Sequence, residues 1–363
     1  GADCSLEANL GGTDVDNDNV VDFTVSSASL AAADLDGDGL AEIIAYAADG
    51  GLLAFTYKNN AWGFHWKAPY PPGAPWAPCD ASKHRCSLGW AGPSVHDLDD
   101  DGVPEIIREG VVFDATGKVL SMQPPEFVSY SQGQFPVLAN LDQDAAIEMT
   151  NGQFIWEWSG GGWVKEAFPG MGASAPGHVA VADFGAYGSG LPANNAELAV
   201  VRGGFVMIYA VTGELAFGPV AVPGGGTGGP PTISDFDGDG LAEFGVAAKG
   251  AYTVYDIDCG PNPRPGGVCP PGTCDFNNGP CPPNIAWSRL SQDFSSSVTG
   301  SSIFDFEADG SSEVVYGDEC FTRVYDGKSG QVLFSQFRSS CTWYENPIVA
   351  DVDGDFRAEL VVP

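Results

Sequence analysis

Short apolar runs alternate along this chain with acidic loops, most of which contain glycine. The same order, an apolar strand, an acidic loop and a second apolar strand, recurs in seven places. Six copies are AAADLDGDGLAEIIAY, SVHDLDDDGVPEIIRE, VLANLDQDAAIEMTNG, TISDFDGDGLAEFGVA, SIFDFEADGSSEVVYG and IVADVDGDFRAELVVP. The seventh, AVADFGAYGSGLPANNAELAVV, keeps both strands around a rebuilt loop. Such self-similarity at intervals of tens of residues predicts a repeat architecture.

A second recurrent piece has the pattern of a β-hairpin. It occurs at Gly110–Leu120, Phe205–Leu215 and Phe321–Phe334, where two apolar runs flank a turn that contains glycine. Such runs predict two strands joined by a tight turn. One repeat is therefore strand, acidic loop, strand, strand, turn and strand, which is the make-up of one four-stranded propeller blade.

The spacing of the loops sets the predicted domain organisation. They begin 43 to 70 residues apart, and the two longest spacings contain cysteine-rich stretches, 68–92 and 258–287, which we interpret as surface insertions. Seven loops predict an all-β fold, a single seven-bladed β-propeller over residues 1–363. The last blade reaches the end of the sequence after two strands, and we expect N-terminal strands within 1–28 to complete it and close the ring. The alternative is that a longer parent chain continues the blade.

The acidic loops offer the ligands that calcium prefers. Ca²⁺ takes about six to eight oxygen ligands, and carboxylates at loop positions 1, 3 and 5 can turn toward one centre. A backbone carbonyl at position 7 and a carboxylate at position 9 complete the shell, and glycine at position 6 permits the sharp turn. An EF-hand would need flanking helices and an acid at position 12, whereas these loops are flanked by strand-like runs and end at position 9.

Four loops satisfy every position. Their predicted ligands, including the carbonyl at position 7, are Asp34, Asp36, Asp38, Leu40 and Glu42; Asp97, Asp99, Asp101, Val103 and Glu105; Asp235, Asp237, Asp239, Leu241 and Glu243; and Asp305, Glu307, Asp309, Ser311 and Glu313. Two loops are weaker, because Ala145 and Phe356 stand at the turn and Asn140 replaces one acid. Their predicted ligands are Asn140, Asp142, Asp144, Ala146 and Glu148, and Asp351, Asp353, Asp355, Arg357 and Glu359. The loop that begins at Asp183 lacks acids at positions 3 and 5, and we expect no ion there.

An eighth acidic match lies near the N-terminus, too close to the first loop to belong to a separate blade. Its predicted ligands are Asp14, Asp16, Asp18, the carbonyl of Val20, and Asp22. Two hypotheses remain open for it, a calcium site in the closing hairpin or a solvated acidic turn. Over the whole chain the sequence predicts about six Ca²⁺ sites.

These repeats resemble the FG-GAP/VCBS family, which is found in integrin alpha subunits and in many secreted bacterial proteins. The resemblance covers nearly the whole chain and implies a seven-bladed propeller with calcium between the first two strands of a blade. This chain departs from the integrin pattern, since glutamate replaces aspartate at position 9 and the Phe-Gly and Gly-Ala-Pro marks are poor. An integrin-like ligand site is therefore not carried over.

Charge and cysteine content narrow the class of partner. The formal net charge of −33 would repel nucleic acid and anionic membranes, so we expect neither as a partner. No apolar run in the sequence is long enough for a transmembrane helix. Nine cysteines, several close together among proline and glycine, predict disulfides and an extracellular location. The odd count leaves one cysteine over, for which Cys4 is our candidate.

No strong catalytic pattern is present, because the four histidines are scattered and the familiar nucleophile, zinc-protease and phosphate-loop motifs are missing from the sequence. Our first hypothesis is an extracellular calcium-binding propeller that acts as an adhesion module or as a ligand-binding module for a carbohydrate or a protein. The alternatives are a polysaccharide lyase or glycosidase on the same scaffold, or a structural fragment of a larger surface protein. Scarce basic residues count against a lyase that grips acidic sugars.

The density of carboxylates in the loops leads to a prediction about chelation. Unpaired carboxylates held within a few ångströms repel one another, so removing calcium should loosen the strands that the loops join. We expect EGTA to lower the melting temperature by many degrees and added calcium to restore it, as measured by calorimetry. An identical melting curve with and without EGTA would show that the loops hold no ion.

Overall fold

The structure is a computed structural model that describes 25, 29–74, 76, 92–127, 135–142, 144–166, 175–185, 195–259, 269, 272–340, 342 and 344–362. Within these residues, every regular element is a strand except one short 3₁₀ helix, Ile257–Cys259. The predicted all-β class is confirmed. No helix in the described part of the chain has the length and apolar content needed to cross a membrane.

The chain divides into two compact units, 1–140 with 144–167, and 141–143 with 168–363. The first unit contains three antiparallel sheets, each with its four strands in chain order. Sheet 1 consists of β1 (Ala31–Ala33), β2 (Glu42–Tyr46), β3 (Leu52–Lys58) and β4 (Ala61–Ala68). Sheet 2 consists of β5 (Ser94–His96), β6 (Glu105–Arg108), β7 (Val111–Phe113) and β8 (Val119–Ser121). Sheet 3 consists of β9 (Val137–Ala139), β10 (Glu148–Thr150), β11 (Ile155–Ser159) and β12 (Gly162–Lys165).

The second unit contains four sheets. Sheet 4 consists of β13 (His178–Ala182), β14 (Glu197–Arg202), β15 (Phe205–Ala210) and β16 (Leu215–Ala221). Sheet 5 consists of β17 (Thr232–Ser234), β18 (Glu243–Ala248), β19 (Ala251–Tyr255), β20 (Thr273–Cys274), β21 (Gly279–Pro280) and β22 (Ile285–Leu290). Sheet 6 consists of β23 (Ser301–Phe304), β24 (Glu313–Gly317), β25 (Phe321–Tyr325) and β26 (Val332–Phe337). Sheet 7 has only β27 (Ile348–Ala350) and β28 (Glu359–Val361).

Consecutive sheets stack face to face within each unit. On β6, Ile106 belongs to a core shared with sheet 1, whereas its neighbour Ile107 belongs to a core shared with sheet 3. Adjacent side chains of a strand point to opposite faces, so two consecutive apolar residues such as Ile106 and Ile107 fit a strand that is covered on both sides. Sheet 5 is also covered on both faces, because Val246 packs in a core shared with sheet 4 and Ala247 in a core shared with sheet 6. Each buried aliphatic or aromatic side chain contributes roughly 1.5–3 kcal/mol.

The first strands of successive sheets lie beside one another, namely β1 with β5 in the first unit, and β13, β17, β23 and β27 in series in the second. The later strands follow outward in order, except in sheet 5, where the order is β17, β18, β19, β22, β20 and β21. The connections between first and second strands therefore recur at one end of the stacked sheets in each unit.

The cysteine-rich stretch 258–287 corrects one prediction, because it is not a surface loop throughout. Its end enters β22, the fourth strand of sheet 5, and β20 pairs with β22 in parallel through Cys274 and Ser288. Burial of Cys274 beside Ile285 makes this part of the stretch a component of the core. The consecutive apolar residues Ile285, Ala286 and Trp287 fit a buried strand, and the nearby cysteines concealed that pattern.

Two disulfides join Cys259 to Cys269 and Cys274 to Cys281. Cys320 is a free thiol among the described cysteines, whereas Cys4 lies outside the described residues. Most of the stretch 68–92 and of the predicted closing strands within 1–28 also lies outside them.

Candidate metal centre

The seven acidic connections share one frame, and we number them loops 1 to 7 in chain order. In every sheet the last residue of the first strand pairs with a glutamate that begins the second strand. These pairs are Ala33 with Glu42, His96 with Glu105, Ala139 with Glu148, Ala182 with Glu197, Ser234 with Glu243, Phe304 with Glu313, and Ala350 with Glu359. Position 9 of each predicted calcium loop therefore lies at the end of the strand pair from which the loop extends.

The position-9 carboxylate accepts a hydrogen bond from the backbone N–H of position 2. The N–H of Leu35 donates to Oε2 of Glu42 at 2.9 Å, and that of Phe236 donates to Oε2 of Glu243 at 2.8 Å. The same bond occurs in loops 2, 4, 6 and 7. In loop 4 it joins Phe184 to Glu197, so the rebuilt loop keeps this frame although acids are missing from positions 3 and 5.

The position-1 aspartate organises the turn. In loop 5, Asp235 accepts the N–H of Gly238 at 2.6 Å and that of Gly240 at 2.8 Å. The position-5 acid, Asp239, accepts the N–H of Leu241 at 2.8 Å, and this bond fixes the peptide on either side of position 7. Loops 1 and 7 repeat all three bonds. The carboxylates are thus already oriented by the backbone.

Position 6 needs a left-handed backbone, as predicted. The φ of Gly39, Gly102 and Gly240 is +86° in each case, and that of Gly310 is +92°. Phe356 adopts φ +68° in loop 7 and is 97% exposed, so this loop keeps the turn without glycine. A bulky residue at positive φ is strained, and loop 7 is accordingly the less favourable frame.

Carboxylate oxygens converge in several loops. Within each of three sets, one ligand atom per residue lies within 4.8 Å of the others: Asp34, Asp36 and Glu42; Asp97, Asp99 and Glu105; and Asp235, Asp237 and Asp239. Oxygens that surround one Ca²⁺ at about 2.3–2.6 Å lie at such mutual distances. These clusters can hold a divalent ion, and in these three loops the structure brings together acids that the sequence predicts to be ligands.

The other predicted sites are placed less completely. Loop 3 is divided between the two units; in the first, Asp144 accepts the N–H of Ala146 at 2.6 Å and belongs to a carboxylate cluster with Glu148. Asp142 falls in the second unit. In loop 6, Glu307 and Glu313 interact through their side chains, whereas the loop 7 acids Asp353 and Asp355 are exposed. The eighth match, from Asp14 to Asp22, lies outside the described residues.

Loop 5 provides the sharpest test of whether a cation fits. Asp237 is only 5% exposed, and its Oδ2 has no hydrogen-bond partner among the described residues. Burial raises the pKa of Asp237 to about 6 and that of Glu243 to about 9, and neighbouring acids add to both shifts. An unpartnered oxygen beside buried acids is a costly arrangement that a divalent cation would relieve, so these residues fit calcium.

A basic residue that sequence reasoning missed lies at loop 1. The ammonium of Lys58 forms a salt bridge with Asp36 and lies 3.4 Å from Asp38. Lys58 ends β3, and the pairing of β2 with β3 brings it back to the loop. Nothing in the loop spacing marks this residue, because its position depends on the next hairpin.

A different cluster is not a metal site. Asp256, Cys259 and Cys269 lie close together, but the two sulfurs form a disulfide and are not thiolate ligands.

Two tryptophans of the aromatic-rich stretch 62–76, Trp66 and Trp76, have structural roles. Trp76 is 5% exposed and donates its indole N–H to the carbonyl of Gly50, and Trp66 donates to the carbonyl of Ala115. Two rings with satisfied N–H groups that fill the core between sheets 1 and 2 do not form a sugar-stacking platform.

No protein-family model matches the chain, and no curated protein matches it. Solved structures do resemble it. The V. cholerae biofilm matrix protein Bap1 is 18% identical, with a TM-score of 0.39 over 92% of this chain and 73% of that one. BBS1N, from its complex with ARL6DN, is 11% identical, with a TM-score of 0.48 over 94% and 91%. The exotype rhamnogalacturonan lyase YesX is 14% identical, with a TM-score of 0.43 over 87% and 47%. Likenesses this remote carry no argument about function.

The raised pKa values of loop 5 lead to a prediction about pH. A carboxyl group whose folded pKa lies above its unfolded value stabilises the fold below the unfolded pKa, and this stability is lost as pH rises through the folded pKa. With Glu243 near 9 and Asp237 near 6, we expect the melting temperature in EGTA to fall as pH rises from about 5 to about 9. Calcium should suppress this fall.

The matched variant is Glu243→Gln, which keeps an acceptor for the N–H of Phe236 but cannot ionise. We expect it to melt above the wild type in EGTA at high pH, with a flatter profile. Glu214→Gln, at an exposed acid, serves as the control and should follow the wild type. If the melting temperatures of the wild type and Glu243→Gln fall equally as pH rises in EGTA, the raised pKa of Glu243 does not cause the fall.

Proposed function

We propose that this chain is an extracellular β-propeller of seven blades that is stabilised by about six Ca²⁺ ions and acts as a binding module for a glycan or a protein. The repeated loop frame carries the calcium part of the proposal. Seven second strands begin with glutamate, and loop 5 combines these acids with an unpartnered buried oxygen on Asp237. Calcium would be held by the predicted ligands of loops 1, 2, 3, 5, 6 and 7. Its positive charge would neutralise the carboxylates of the loop and so hold the first two strands of a blade together.

The residues outside the loops support a binding role rather than a catalytic one. His178 is buried, and burial lowers its pKa to about 4, while His96 hydrogen-bonds the carbonyl of its neighbour Asp97. Neither arrangement is a catalytic dyad. Two described disulfides support an oxidising compartment, and the net charge of −33 argues against nucleic acid.

Ring closure is a separate part of the proposal, and the end of the second unit supports it. Sheet 7 has two strands, whereas the other six sheets of the described chain have four or more. Next to it, Leu333, Phe334 and Phe337 of β26 are 49%, 47% and 67% exposed. A groove of about 300 Å³ runs between these sheets and is lined by Phe306, Glu307, Val324, Leu333, Phe334, Ala358 and Leu360.

An apolar surface beside an unpaired strand edge is what a missing pair of strands would leave. We propose that residues within 4–27 form these strands on β28 and cover the groove. The segment VVDFTVSS has the alternation and β-branched content that a strand needs.

A glycan array probed with and without calcium tests the binding role. We expect selective binding in calcium and loss of binding in EGTA, because the loops that shape the surface would open. Absence of binding to any glycan or extracellular protein would contradict the proposal. Release of unsaturated sugars, detected by ultraviolet absorbance, would instead establish a lyase.

Hydrogen exchange tests the closure. We expect deletion of residues 1–24 to accelerate exchange in the peptide 357–363, because β28 would lose a partner for its outer edge. The peptide that covers β24, a central strand of sheet 6, is the internal control and should remain protected. Equal exchange of 357–363 in the deleted and intact chains would show that the N-terminal residues do not pair there.

A further inference from the structure

A cleft of about 650 Å³ opens in the first unit between sheets 2 and 3. Its walls come from loop 2, strand β8, loop 3 and the β11–β12 hairpin. The described lining residues are Leu98, Asp99, Asp100, Glu105, Leu120, Ala145, Ala146, Glu157, Trp158, Ser159, Gly160 and Gly161. This volume lies in the range of sites that bind small molecules or one or two sugar rings, about 300–1,000 Å³.

The charged side chains that line the cleft are all carboxylates. Four carboxylates line it, Asp99, Asp100, Glu105 and Glu157, and none of its described lining residues is Lys, Arg or His. Asp99 and Glu105 are at metal-ligand positions, which leaves Asp100 and Glu157 to meet a ligand. Such a site repels anions and favours groups that donate hydrogen bonds.

Asp100 is not required by the calcium loop. It occupies position 4, which is not a ligand position, and the other five calcium loops have Gly37, Gln143, Gly238, Ala308 and Gly354 there. Asp100 also adopts φ +58°, a backbone conformation that glycine takes more easily. The loop therefore does not require this exposed acid on the wall of the cleft.

Glu157 reaches the cleft from the opposite side. It lies in β11, directly across from Glu148 and Val164 in the strand register, and it is half-buried. Like charges directly opposite on adjacent strands destabilise a sheet, so Glu157 is not explained by strand pairing. Leu120 of β8 also lines the cleft, is 43% exposed and provides an apolar wall.

We propose that this cleft binds a neutral oligosaccharide, whose hydroxyls donate hydrogen bonds to Asp100 and Glu157 while a C–H face of the ring contacts Leu120. Hydrogen bonds from hydroxyls to carboxylates are charge-assisted and direct the ligand. The apolar wall and the volume favour a ring over a lone ammonium group. The inference rests on the proposed binding function and names its ligand class and its place on the fold.

Isothermal titration with neutral hexasaccharides of mannose, xylose and glucose, in saturating calcium, tests this site. We expect at least one of them to bind and an acidic oligogalacturonate to bind at least about tenfold more weakly, because Asp100 and Glu157, which are not at metal-ligand positions, repel it. Asp100→Gly installs the residue that loops 1, 5 and 7 have, and Glu157→Gln removes a charge at constant shape. Each should weaken binding about tenfold, the loss expected for one charge-assisted hydrogen bond.

Glu214→Gln is the control, since it removes one exposed acid from the second unit and should bind like the wild type. The calcium-dependent melting temperature of every variant separates a folding defect from a lost contact, and the two cleft variants lie on different elements. If both cleft variants bind the sugar as tightly as the wild type, the sugar does not bind at this cleft, although the proposed binding function would stand. If the wild type binds no neutral sugar, or prefers the oligogalacturonate, the ligand class is wrong whatever calcium does to stability.

Discussion

The structure depends on one hydrogen bond, from the backbone N–H of loop position 2 to the carboxylate of a buried glutamate at the start of the next strand. In loop 5, this bond places Glu243 at 1% exposure within a short distance of three aspartates. The loop thereby gains a fixed shape but concentrates negative charge where water is excluded. A counter-cation bound there would relieve this charge and would couple metal binding to the stability of the strand pair.

Variation around this frame shows which parts of it are essential. Loop 4 loses two acids yet keeps the bond from Phe184 to Glu197, so the bond serves the strand pair even where the sequence disfavours an ion. Loop 7 keeps the turn with Phe356 in place of glycine. In loop 1, Lys58 places an ammonium beside Asp36. The glutamate is common to all the loops, whereas the neutralising charge can differ from one to the next.

Much of the fold follows from local pattern. Acid at alternate positions and glycine at the turn predicted loops 1, 2, 5 and 6, because the hydrogen bonds that shape such a turn join residues close together in the chain. The same reasoning failed where the partner lies elsewhere in the chain. Strand β22 escaped notice inside the cysteine-rich stretch 258–287, and Lys58 carries no mark of the loop it meets.

The sequence by itself determined the class of fold, the positions of loops 1 to 7, and acids that converge in loops 1, 2 and 5. Only the tertiary structure decided which elements line a common space. Loop 2 and strand β11, for example, contribute Asp100 and Glu157 to the same cleft of the first unit. It also decided which apolar side chains remain exposed, such as Phe337 beside sheet 7. The physical reason is distance along the chain. A turn is stabilised by its own backbone, whereas a cleft or an open sheet edge exists only when separate strands have stacked.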